Sequence, residues 1–125
     1  MTDVMEQWLG ELPEARGVVP VLRDVPLLQG GRIIVVAVEL WNGSLVVRWA
    51  QSPPPDRETP HWSWEITDDL RTEYRLRAGS GGGSDRFWQA ISEFRPAPPP
   101  AARRLYLWAP VSHPSGVVEV VLPAG

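Results

Sequence analysis

The sequence predicts an all-β fold, a sandwich or barrel of antiparallel strands, and three observations carry that prediction. From Gly17 onward, short apolar runs of strand length recur, each bounded by Gly, Pro, Asn, Asp or Ser. One of them, RIIVVAVEL (Arg32 to Leu40), is β-branched and apolar on both faces through its middle, as a strand central to a packed sheet should be. No stretch between the runs has the length and period of a crossover helix, which argues against a parallel α/β arrangement.

Taken in order, the chain opens with a short amphipathic helix. Thr2 can cap it, Asp3 and Glu6 suit its first turn, and Val4, Met5, Trp8, Leu9 and Leu12 form one apolar stripe before Pro13 and Gly17 end it. Residues 1–16 are therefore expected to be a helix and linker, and residues 17–125 the β domain. Too short to be stable alone, the helix should dock on its own domain or on a partner. Seven or eight strands follow, near Val18 to Leu22, Arg32 to Leu40, Leu45 to Gln51, Trp62 to Thr67, Thr72 to Arg77, Phe87 to Phe94, Leu105 to Ala109 and Val117 to Leu122. Asn42-Gly43 supplies the positive φ angles of a tight hairpin between the second and third. The proline-dense segments Ser52 to Pro60 and Arg95 to Arg104 read as stiff loops passing from one sheet to the other.

Composition narrows the function classes. At 125 residues, with 43% apolar and 22% charged residues, the chain has the size and balance of one globular domain. Its net charge is −3, and all 12 basic residues are Arg. That mildly acidic balance lacks the footprint of nucleic-acid binding, and the absence of Lys removes Schiff-base and P-loop chemistry. Without Cys there is no disulfide, thiolate metal site or cysteine nucleophile. Acids near the start and the lack of a span-length apolar stretch predict a soluble, cytoplasmic protein with no membrane partner.

The stretch ITDDLRTEYRLRAGSGGGSDRFW (Ile66 to Trp88) holds the candidate sites. Asp68 and Asp69 could hold a metal such as calcium or serve a hydrolase together with His61, but Asp at a turn is also favoured for capping backbone N–H groups. Gly79 to Ser84 reads as a flexible hairpin tip rather than a phosphate loop, since no lysine or clear helix follows it. Glu73, Arg75 and Arg77 alternate with Tyr74 and Leu76, marking a strand with one wet face. Tyr74, Leu76, Trp88 and Ala90 can then share the core face of a hairpin. No residue is assigned to catalysis or to a cofactor.

Two further readings concern partners. Glu73, Arg75, Arg77, Gly81 and Gly82 around the tip, and Trp8 on the helix, are candidate contacts for a protein partner or a second copy of the chain. Among the 7 tryptophans, Trp62 and Trp64 in HWSWE fall on the same side of one strand. They either fill the core or form a flat platform for a sugar.

The strand RIIVVAVEL, the hairpin WNGSLVVRWA, the turn DDLRTEY, the tip GSGGGS and the spacer FRPAPPPAARRLYLW together resemble a group of uncharacterised bacterial immunoglobulin-like β-sandwich proteins. The resemblance covers about residues 20 to 122. It implies an immunoglobulin-like antiparallel sandwich and carries no catalytic residues over. Arg71 departs from that pattern, which has Gly there, so an altered or strained turn is expected. The expected function is a non-catalytic protein-binding module; a carbohydrate-binding module using Trp62 and Trp64 is the alternative, and a hydrolase using Asp68 and Asp69 the third.

Overall fold

In a computed structural model, the structure describes residues 14–56 and 61–124. Among the described residues there are eight strands: β1 (Ala15–Pro26), β2 (Arg32–Trp41), β3 (Ser44–Ser52), β4 (Glu65–Asp68), β5 (Arg75–Gly83), β6 (Trp88–Arg95), β7 (Arg104–Trp108) and β8 (Val118–Val121). They form two antiparallel sheets, a five-stranded one in the order β1-β2-β3-β6-β5 and a three-stranded one in the order β4-β7-β8.

The sheets share one core because their strands alternate. Ile33, Val35, Leu45, Val47 and Phe94 from the larger sheet meet Leu105, Leu107, Val118 and Val120 from the smaller, all buried. In β2 the alternation is reset by a bulge between Val35 and Ala37. The bulge lets Val38 return to the core and turns Val36 outward, so RIIVVAVEL is buried on its inner face and partly open on its outer one. Both proline-dense segments do carry the chain between sheets, from β3 to β4 and from β6 to β7.

The expected fold class needs correction at its N-terminal end. Among the described residues there are strands and no helix. Ala15 and Arg16, assigned by sequence to the segment before the sandwich, already belong to β1, where Ala15 pairs with Trp41 and Gly17 with Leu40. The edge of β2 gives this stretch backbone partners that a helix-terminating Pro and Gly could not signal. The helix expected over Thr2 to Leu12, Trp8 included, lies outside the described residues.

Smaller differences have local causes. β4 starts at Glu65, so Trp62 and Trp64 lie in the segment leading into it rather than within it. Of the hairpin residues, only Gly43 has a positive φ, of 96°. Most consequential, the glycine run is strand: Gly79 to Gly83 pair with β6 from Ser92 to Trp88, and the turn moves on to Ser84 through Phe87.

Candidate functional site

The acidic pair sits where the chain leaves β4. Asp68 is buried, at 3% exposure, and its carboxylate accepts three hydrogen bonds. The Leu70 and Thr72 N–H groups both donate to Oδ1 at 2.9 Å, and the Tyr74 hydroxyl donates to Oδ2 at 2.7 Å. Burial alone would raise the Asp68 pKa, but bonds from Thr72, Tyr74 and Leu70 outweigh it and hold the carboxyl below the ordinary value of 3.8. Burial, together with the same pairing, pushes the Tyr74 hydroxyl well above its ordinary value, so it stays a donor.

Asp69 binds the start of β7, the neighbour of β4 in the same sheet. Its Oδ1 accepts the Arg103 N–H at 3.0 Å and the Arg104 N–H at 3.3 Å, while its own N–H donates to the Arg104 carbonyl at 3.2 Å. These backbone donors, Arg103 first, keep the Asp69 carboxyl below its ordinary value. Thus the adjacent carboxylates diverge, one clamping the crossover toward β5 and the other the entry to β7. Among the described residues no group of His, Asp and Glu is arranged to hold a metal ion. His61 is exposed and His113 bonds locally to Ser115, so neither joins the pair.

Arg71 completes this turn in the conformation that Gly would prefer, with φ of 59°, and its N–H donates to the Asp68 carbonyl at 3.1 Å. A side chain in the left-handed region costs about 1 kcal/mol. The turn tolerates it because the Asp68 carboxylate fixes the residues on both sides.

Past Tyr74 the chain becomes β5, the outer strand of the five-stranded sheet, exposed at every residue from Arg75 to Gly83. Glu73, Arg75, Arg77, Gly81 and Gly82 all lie on or beside this edge. Arg75 contacts Glu73 at 3.7 Å and Arg77 contacts Glu93 at 3.8 Å, exposed pairs that contribute little to stability. From Ala78 to Gly83 the edge carries no charge and no proline, the devices that usually prevent strand addition.

Inside the sandwich, Trp49, Trp62 and Trp64 touch one another, with ring centroids 5.1 to 5.9 Å apart. The Trp62 and Trp64 planes meet at 71° and Trp64 is only 4% exposed, so the two do not present one flat face. They are partly core, and they also line a cleft with Trp88, a residue that sequence reading had placed only in the core.

Comparison with protein-family models, curated proteins and solved structures finds no match for this chain.

Two outcomes test the acidic turn. Tyr74→Phe should lose about 2 kcal/mol of stability at neutral pH, as expected for a hydrogen bond to a charged group. Because the folded Asp68 pKa lies below the unfolded value, its contribution is complete above 3.8 and disappears as pH falls through the folded pKa. Urea unfolding over a pH series should therefore show the Tyr74→Phe deficit shrinking in acid. Arg71→Gly should raise stability by up to about 1 kcal/mol, seen as a higher melting temperature, because it relieves the left-handed backbone.

Proposed function

We propose that this chain is a non-catalytic protein-binding module of immunoglobulin-like architecture whose partner adds an extended segment to the free edge of β5. The observation that carries the reading is the β5 edge, a nine-residue strand exposed throughout and unguarded from Ala78 to Gly83. An unpaired edge offers a row of N–H and C=O groups that another chain can satisfy, while side-chain contacts beside it provide selectivity. Here those contacts would come from Arg75 and Arg77 at one end and from exposed Leu76, Phe87 and Ile91 on the faces.

The architectural half of the reading rests on strand order. From β2 to β8 the arrangement is β2-β3-β6-β5 against β4-β7-β8. It follows the order of the seven strands of a constant-type immunoglobulin domain, A-B-E-D against C-F-G, with β1 added beside β2. Such a fold presents edges and loops for recognition without fixing an activity. A bacterial, cytoplasmic setting is part of the proposal; no helix among the described residues is long and apolar enough to cross a membrane.

Hydrolysis at Asp68 and Asp69 has little support, because both carboxylates are committed to backbone donors. A flat sugar platform on Trp62 and Trp64 has none in their ring planes.

The test is a footprint. A protein captured on the immobilised chain should slow hydrogen exchange at alternate β5 amides, and Gly82→Lys should abolish capture without changing the melting temperature, since nothing lies within 4 Å of a side chain added there. A captured partner that leaves the β5 amides unprotected, or that binds Gly82→Lys equally well, would contradict strand addition.

A further inference from the structure

β5 has a second property, on its inner face rather than its edge. Across the sheet Gly79 pairs with Ser92, Gly81 with Ala90 and Gly83 with Trp88. Ser92 accepts the Trp49 indole N–H at 3.1 Å, which places these pairs on the face that looks toward the smaller sheet. Three successive inward positions therefore carry no side chain. The opposite wall is the segment His61 to Trp64, because β4 begins only afterward. A cleft of about 380 Å³ remains between them, lined by Trp49, Trp62, Trp64 and Trp88. Trp88 lies so close to Gly81 that a Cβ there would come within 2.7 Å of its ring.

Beside it is a cleft of about 410 Å³ that shares Pro55, Asp56 and Trp62 with the first and reaches Gln51. Each cleft contains a buried residue with an unmatched polar atom. Trp64, 4% exposed, has an indole N–H without an acceptor, and Gln51, 8% exposed, has a side-chain carbonyl without a donor; both atoms are closed to solvent, so they lie behind the cleft walls and not on them. Native interiors rarely leave such atoms unpaired.

The ligand class follows from what these walls can satisfy. An anion would find no Arg among the described residues lining either cleft. A quaternary cation needs rings spaced around it, whereas Trp49, Trp62 and Trp64 are packed against one another. A flat aromatic could stack but would make no use of the polar side chains of the lining, His61 and Ser80. A pyranose ring offers an apolar C–H face to indoles, and its hydroxyls both accept and donate. We propose that the tryptophan-lined cleft between β5 and the segment 61–64 binds a neutral saccharide, with Trp62 and Trp88 as its stacking surfaces and the exposed His61 and Ser80 side chains of its lining as its polar contacts. This site is independent of strand addition at the β5 edge.

The test is titration of the full chain with cello-, malto-, xylo- and chito-oligosaccharides, followed by intrinsic tryptophan fluorescence and calorimetry. At least one should give a saturable shift. Gly79→Val adds a side chain to the cleft without strain, its Cβ meeting only the Ile91 carbonyl at an ordinary 3.5 Å, and should weaken binding by about tenfold or more at an unchanged melting temperature. Should the valine variant fail to fold, Trp62→Ala should weaken binding by a similar factor while the protein is still folded, at a lower melting temperature because Trp62 also packs on the core. The proposal is overturned if none of the four saccharide classes binds, if folded Gly79→Val or Trp62→Ala binds as well as the parent, or if tetramethylammonium saturates the site instead.

Discussion

The carboxylate of Asp68 is the interaction on which the rest of this structure depends. It is buried, it is charged, and it accepts two backbone N–H groups and a tyrosine hydroxyl at the point where the chain passes from the smaller sheet to the larger. A buried carboxylate is tolerable only when its lone pairs are filled, so the positions of Leu70, Thr72 and Tyr74 are set together. With Asp69 fastening the start of β7 to the same turn, one dipeptide joins β4, β7 and the approach to β5. Arg71 can then occupy a glycine-like conformation without loosening the corner.

What that corner delivers is β5, and β5 has three sides with different uses. One edge is paired to β6, the other is free, and the inner face is stripped of side chains by Gly79, Gly81 and Gly83. The glycines thus account for both the unguarded edge and the tryptophan cleft. Their weak intrinsic preference for strands is overcome because β6 is already templated by β3, from Leu45 opposite Phe94 to Gln51 opposite Trp88.

Much of this was legible in the sequence where a residue type has one dominant physical consequence. β-Branched residues from Ile33 to Val38 announced β2, the Asn-Gly pair its hairpin, and the two proline clusters the sheet-to-sheet crossings. Asp at a turn announced a cap, and Arg71 a strained position. Legibility failed where partners decide. A glycine run signals a turn until a neighbouring strand pairs with it, and nothing local distinguishes the two. The extension of β1 back to Ala15 likewise depends on β2, distant in sequence. Trp62 and Trp64 alternate as a strand pair would, yet β4 starts after them, so their rings fold against Trp49 instead of standing side by side. The participation of Trp88 in the cleft had no sequence signal, because it depends on the missing side chain of Gly81 across the ladder.

The most direct check on this account is a carboxyl-carbon NMR titration of Asp68 in the folded protein. The account requires Asp68 to titrate below 3.8, with the Tyr74 and Thr72 resonances shifting at the same midpoint as their shared acceptor is lost. An Asp68 midpoint above that value, or one that leaves Tyr74 and Thr72 unmoved, would contradict the claim that this carboxylate locks the corner from which β5 is set.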